Sequence, residues 1–149
     1  MANQPRTRPA APVDGYSLDD QIGFILRKVS QRHTAIFAAT FGSDLTAPQW
    51  ATLAKLYENG PTSQNLLGRL VALDAATIKG VVDRLAARGL TITSPDPVDA
   101  RRVLVTLTDA GRKEAERGFP IAAAITEETL APLDAGQRAQ LIALLKALS

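Results

Sequence analysis

Between Arg88 and Thr108 the chain changes its hydrophobic period, and nothing else in the sequence limits its fold as tightly. Up to Arg88, apolar residues return every three or four positions, as on one face of a helix. Leu90-Thr-Ile-Thr93 and Val103-Leu-Val-Thr-Leu107 instead alternate and are rich in β-branched side chains, which marks strands. The stretch between them, Ser94-Pro-Asp-Pro-Val-Asp-Ala-Arg-Arg102, is too proline-rich for a sheet interior. Together these segments predict a two-stranded hairpin with a protruding basic tip, inserted late into an otherwise helical chain.

End signals place the helices. The first runs from Leu18 to about Phe41, with Ser17 as N-cap and Asp20 at the capping-box position, and stops at Gly42. Ile22, Ile25, Leu26, Val29, Ile36 and Phe37 form its apolar stripe. Thr46-Ala-Pro48-Gln49 opens a second helix that ends near Asn59-Gly60-Pro61, and a short third spans Ser63 to about Val71. Asp74 caps a fourth, which runs to Arg88 with Gly89 just beyond it. Thr108 caps a long helix to about Leu130 with a kink expected at Gly118-Phe119-Pro120, and Asp134-Ala-Gly-Gln137 opens a last one to Leu148. Residues 1–16, with Pro5, Pro9, Pro12, Arg6 and Arg8, read as a flexible, mildly basic tail.

Composition removes several function classes. The 149 residues, 46% hydrophobic, suffice for one core and not for two. With no cysteine there is no disulfide framework, zinc finger or iron–sulfur cluster, and one histidine makes a His-built metal site improbable. There is no Gly-rich phosphate loop and no Gly-x-Ser-x-Gly, so no enzyme, cofactor or metal is expected. Without an 18-residue apolar run or a signal-peptide core, no membrane role follows and a cytoplasmic location is expected. The formal net charge is only +2, although the isoelectric point is about 9.2. Any nucleic-acid role must therefore rest on where the charges sit.

Two short helices followed by a hairpin make the arrangement of a winged helix-turn-helix. The expected fold is mainly α. A winged helix-turn-helix with a short β-hairpin wing occupies residues 45–108, and dimerisation helices occupy 17–44 and 109–149. The helix opened by Asp74 turns Ile78, Val81, Val82 and Leu85 inward and leaves Ala75, Ala76, Thr77 and Lys79 outward near its N-terminus. Those small or polar side chains suit base edges: Thr77 offers a hydroxyl and a methyl, and Lys79 reaches guanine or a phosphate. Arg84 and Arg88 would flank the backbone, and Ser63, Gln64 and Asn65 suit phosphate contacts. At the hairpin tip an Asp99–Arg101 ion pair would aim a guanidinium into a minor groove, with Arg102 beside it.

The run Leu73-Asp-Ala-Ala-Thr-Ile-Lys-Gly-Val-Val-Asp-Arg-Leu-Ala-Ala-Arg-Gly-Leu90, then Asp96-Pro-Val-Asp99-Ala-Arg101-Arg102 and Leu107-Thr-Asp-Ala-Gly111, strongly resembles the MarR family of bacterial transcriptional regulators. Leu45-Thr46-Ala-Pro48-Gln49-Trp50 matches the start of that family's second helix, and the resemblance covers roughly residues 18–148. It implies an obligate homodimer whose terminal helices interlock while two winged domains grip a palindromic double-stranded operator. Leu141, Ile142, Leu144, Leu145 and Leu148, with Ile121, Ile125 and Leu130, supply more apolar surface than one small monomer easily buries. The chain departs from the family at Lys79-Gly80, where many relatives carry a polar residue and then Arg.

Such regulators commonly answer to small aromatic anions. From Gln21 to Ser43 there is no acid, while Arg27, Lys28 and Arg32 are present, and His33 falls near the middle of the apolar stripe. Arg27 and His33 are six residues apart, roughly 9 Å along the axis, which matches a substituted aromatic ring plus its carboxylate. Phe37 and Trp50 would wall such a site. The competing readings are a hydrogen-bonded core histidine, a dimer-interface ion pair for Arg27 and a core role for Trp50. The stretch Gln21 to Phe37 looks most like members controlling aromatic and N-heteroaromatic acid catabolism, so a hydroxylated nicotinate or benzoate is the expected effector. The runner-up from another class is a winged helix that binds protein and no DNA.

Overall fold

The computed structural model describes residues 13–42 and 44–149, so most of the expected tail lies outside the described residues. One 3-10 turn, Leu18–Asp20, leads into α1 (Ile22–Phe41). Then follow α2 (Ala47–Asn59), β1 (Thr62–Ser63), α3 (Gln64–Leu70), α4 (Ala75–Ala87), β2 (Thr91–Pro95), β3 (Val103–Leu107), α5 (Asp109–Thr129) and α6 (Ala135–Ala147). Most helix starts obey their capping residues. Thr46 with Gln49, and Asp134 with Gln137, close reciprocal boxes, while Ser63, Asp74 and Thr108 accept from the amides of Leu66, Thr77 and Gly111. The exception is Ser17, whose side chain caps nothing. Because the chain first makes the 3-10 turn, α1 has Gln21 as its N-cap instead, Asp20 sits in that turn, and Gln21 Nε2 donates to the Ser17 carbonyl at 2.8 Å.

The sheet has three strands, one more than the sequence predicts. β3 lies in the middle, with β2 on one side and β1 on the other, where Thr62 pairs with Val105 and Ser63 with Leu104. A two-residue strand is too short to show a period, so nothing in the sequence pattern marks it. β2 also runs on through Pro95, opposite Val103; as an edge strand it needs no donor there.

Nor does α5 break at Gly118-Phe119-Pro120; the helix is continuous across Pro120. Gly118 serves packing. A Cβ there would lie 2.2 Å from Cζ3 of Trp50, so the indole rests directly on the α5 backbone. Trp50 is held in place by Phe41 and Phe119, each with ring centroids 5.3 Å away.

Two apolar clusters share α4 between them. Val81 and Leu85 join Phe37, Phe41, Leu45, Leu53, Leu90, Ala115 and Ile125, whereas Ile78 and Val82 join Leu56, Leu67 and Val105. The larger cluster crosses from α1 and α5 into the winged part, so the two parts are packed as one body. Ile125, expected on a dimer surface, is only 2% exposed inside this cluster. Ile121, Leu130 and Leu141 are half-buried, Ile121 against the same cluster, and the remainder of that expected surface is open. No residue of α6 is buried, and Ile142, Leu144, Leu145 and Leu148 are exposed, as are Ile22, Ile25, Leu26 and Val29 of α1. Among the described residues, no helix is long and apolar enough to cross a membrane.

Candidate nucleic-acid interface

Asp74 starts α4 by accepting the Thr77 amide at 2.7 Å, and that bond holds its carboxyl below the usual range. With Ile78, Val81, Val82 and Leu85 turned into the two clusters, Ala75, Ala76, Thr77 and Lys79 are left exposed. Lys79 is not free: its Nζ lies 2.7 Å from Asp83 one turn on. Gly80 is open, and the nearest atom to an added Cβ is Nη1 of Arg84 at 3.7 Å, so Arg84 folds back over that gap. Arg88 does not flank this face. Its Nη1 donates to the backbone carbonyl of Asp44, on the loop between α1 and α2.

The wing tip organises itself. Asp96 donates its amide to the Arg102 carbonyl at 3.0 Å, and Asp96 Oδ1 accepts from Val98 at 2.8 Å. Asp99 takes both Nε and Nη2 of Arg101, at 3.0 and 3.2 Å, and stands 3.5 Å from Nε of Arg102. The Arg101 hydrogen bonds, with a smaller pull from Arg102, keep the Asp99 carboxyl low. The expected ion pair is therefore present. Its arginine is 91% exposed while the aspartate is 25% exposed, so the cation projects and the anion stays behind it. With two aspartates and two arginines between residues 96 and 102, the tip carries no net charge. Any attraction to phosphate comes from this geometry.

Tertiary structure joins these parts. Ser63, Gln64 and Asn65 line a shallow hollow with Arg101, Arg102 and Val103, because β1 pairs with β3 at the base of the wing. Asn65 also borders a second hollow with Gly68, Arg69, Leu73, Ala75 and Ile78. One continuous strip thus runs from the wing tip over the start of α3 to the start of α4. Arg69 is a member the sequence reading missed; it sits on a helix too short to display a polar face.

The expected effector residues divide. His33, Phe37 and Trp50 line one cavity of about 160 Å³, closed by Ala122, Ile125 and Thr126 of α5. His33 and Phe37 also border a cleft of about 490 Å³ that reaches Leu45, Thr46, Ala47 and Pro48 at the start of α2. Arg27 joins neither. It borders an adjoining hollow with Ser30, Gln31, Thr34, Ala35 and Ala38, about 120° round the helix from His33, and Thr34 and Ala38 also border the larger cleft. Arg27 and His33 therefore line no single hollow within one chain. His33 is exposed, not in the core, and its Nδ1 lies 2.9 Å from Oγ1 of Thr129. The neighbouring guanidinium of Arg32 donates to the Glu128 carbonyl at 2.9 Å and caps the end of α5. The α5 contribution was missed, although Ala122, Ile125, Thr126 and Thr129 follow the i, i+3, i+4, i+7 spacing of a single face.

Residues 45–103 match the MarR family. The HTH-type transcriptional repressor NicR of Pseudomonas putida is 43% identical over 143 residues, covering 94% of this chain and 90% of that protein. A probable transcriptional regulator from Pseudomonas aeruginosa superposes with a TM-score of 0.86 at 54% identity, covering 89% of this chain and all of that one. BpsR of Bordetella bronchiseptica, whose DNA binding is regulated by 6-hydroxynicotinic acid, gives a TM-score of 0.87 at 41% identity over 89% of this chain and 96% of its own. With the winged-helix elements in order, the wing arginines in place and such relatives spanning nearly the whole chain, the protein belongs to the MarR family.

Proposed function

We propose that this chain is a homodimeric transcriptional repressor that grips a palindromic DNA duplex through α4 and the wing and releases it on binding a small hydroxylated aromatic or N-heteroaromatic carboxylate. The observation that carries the proposal is the continuous strip from Arg101 and Arg102 across Ser63, Gln64, Asn65 and Arg69 to Ala75. Within it, Ala75, Ala76, Thr77 and Lys79 read base edges, Ser63, Gln64 and Arg84 position the phosphates, and the wing arginines enter the adjacent minor groove. Residues 45–108 act as the winged unit, and residues 17–44 and 109–149 supply the dimerisation helices, whose exposed apolar faces on α1 and α6 need a second copy. The setting is the bacterial cytoplasm, and the chain is not an enzyme.

The effector reading rests on the His33–Phe37–Trp50 cavity and the neighbouring cleft at the start of α2, where an imidazole, aromatic walls and helix amides suit a planar hydroxylated anion. BpsR, 41% identical over 89% of this chain and regulated by 6-hydroxynicotinic acid, supports the same chemistry. Arg27, in the adjoining hollow, belongs with the face that the second copy covers.

Selection of duplexes from a random pool, followed by fluorescence anisotropy with and without 6-hydroxynicotinate, tests the proposal. Half-sites about 10 bp apart are expected, and Arg101→Ala or Arg102→Ala should each cost about 1–3 kcal/mol of binding. A protein-binding winged helix would instead select no sequence, and its interactions would show little dependence on salt.

A further inference from the structure

The end of the recognition helix and one wall of the effector cleft hang on the same loop. Gly42, Leu45, Thr46, Ala47 and Pro48 border the larger cleft. Asp44, within that loop, accepts the Arg88 guanidinium on its backbone carbonyl, and Arg88 is the residue that closes α4. The carboxylate of Asp44 faces the other way, 3.6 Å from Nη2 of Arg117 on α5. Arg117 in turn grips Glu114 through two hydrogen bonds of 3.1 and 2.6 Å. Arg117, with a weaker pull from Arg88, holds the Glu114 carboxyl below its ordinary value. Four charged groups thus tie three segments together at the junction of the dimerisation helices and the winged part.

We propose that Arg88 is a positioning residue that couples occupancy of the cleft to the attitude of α4, acting through the Asp44 carbonyl on the loop that walls the cleft. The inference rests on the effector reading above. It follows from geometry. Arg88 lies eleven residues from Thr77, about 16 Å along the helix axis, so it stands at the far end of α4 from the base-reading residues. An anion that shifts Leu45, Thr46, Ala47 and Pro48 moves the adjoining Asp44 carbonyl, and a directional hydrogen bond transmits that shift where an apolar contact would slip. The Arg117–Glu114 pair holds the loop from the α5 side, so the displacement is not simply absorbed there. Two α4 helices must enter successive major grooves, and a tilt of each spoils that spacing. Linkage then lowers effector affinity on the DNA complex by the same factor.

The experiment compares full-length wild type with Arg88→Ala, Arg88→Lys and Glu114→Gln. DNA affinity is read by anisotropy on a duplex selected by the wild type, with and without saturating 6-hydroxynicotinate. Binding of that acid is followed by Trp50 fluorescence, and folding by circular dichroism. Arg88→Ala should keep effector-free DNA affinity and 6-hydroxynicotinate affinity within about threefold of wild type while the ratio between the two DNA affinities shrinks at least fivefold. Arg88→Lys, which can still donate to Asp44, should restore part of that ratio, and Glu114→Gln should reduce it less than Arg88→Ala does. Should Arg88→Ala fold poorly, the contrast between Arg88→Lys and Glu114→Gln decides, and an unchanged ratio in both overturns the proposal. An unchanged ratio in a well-folded Arg88→Ala also overturns it, as does a loss of DNA affinity with a salt slope lower by about one, which would make Arg88 a phosphate contact. A wild type that binds its duplex yet ignores 6-hydroxynicotinate overturns the effector reading and this inference with it.

Discussion

Gly111 offers the sharpest test of the packing described here. It lies in the first turn of α5, and a Cβ built on it would stand 1.9 Å from the carbonyl oxygen of Leu90 and 2.9 Å from its carbonyl carbon. Both atoms are backbone, so no rotamer change can clear them. To reach ordinary contact the start of α5 must retreat by more than 1 Å from the end of α4. That movement strains two bonds that span the same joint, Thr108 N to the Leu90 carbonyl at 3.1 Å and Thr108 Oγ1 to the Gly89 carbonyl at 2.6 Å. Each is worth about 1 kcal/mol, and overpacking adds about 1–3 kcal/mol. Alanine returns about 1 kcal/mol of helix propensity. Gly111→Ala should therefore destabilise by about 2–4 kcal/mol, a large part of the 5–15 kcal/mol that holds a typical domain together. Gly80→Ala is the control, because nothing but the tip of Arg84 lies within 4 Å of its Cβ position; it should stabilise by about 1 kcal/mol. Urea unfolding followed by Trp50 fluorescence, at one fixed protomer concentration because dimerisation is linked to folding, measures both. Equal stability of the two variants would refute the close approach.

Thr91 is 1% exposed and its hydroxyl has no hydrogen-bond partner; Thr91→Val should raise stability by about 1 kcal/mol in the same urea assay, since it removes an unsatisfied buried polar group at nearly constant volume. Ala72 turns the chain between α3 and α4 with φ of 54°, a left-handed conformation that costs a residue bearing Cβ about 1–2 kcal/mol. Ala72→Gly should recover about 0.5–1 kcal/mol after glycine's extra entropy, and a drop in melting temperature would count against the strain. Arg117 depresses the Glu114 carboxyl in the folded state, so its contribution is full above the ordinary glutamate value of about 4.3 and fades as pH falls through the lower folded value. Glu114→Gln should flatten the melting-temperature profile below about pH 4.5, and parallel profiles for variant and wild type would show the pair to be idle.

Much of this protein was legible in local chemistry. Capping residues, the glycine after α4 and the change of hydrophobic period acted over a few neighbours, so Thr46, Asp74, Thr108 and Asp134 announced their helices without reference to anything distant. The wing was readable for the same reason, since Asp99 and Arg101 are two residues apart and meet within their own turn. Ser17 misled because a 3-10 turn and a capped α-helix begin with the same residues. Pro120 removes one amide bond yet leaves α5 unbroken.

What local chemistry determined, then, was which segments become helices or strands and which of their ends are pinned. What only the tertiary structure decided was which segments meet. β1 exists because β3 passes beside it, and the continuous strip from wing to α4 exists because that pairing brings Asn65 beneath Arg102. Gly118 is shaped by an indole 68 residues earlier in the chain, and Arg88 donates to a loop 44 residues earlier. His33 finds Thr129 across 96 residues, while Arg27, six positions away on its own helix, borders the next hollow. The physical reason is that capping and periodicity are short-range and repeat along the chain. Contact between distant segments depends instead on how whole faces pack, and no window of sequence contains that information.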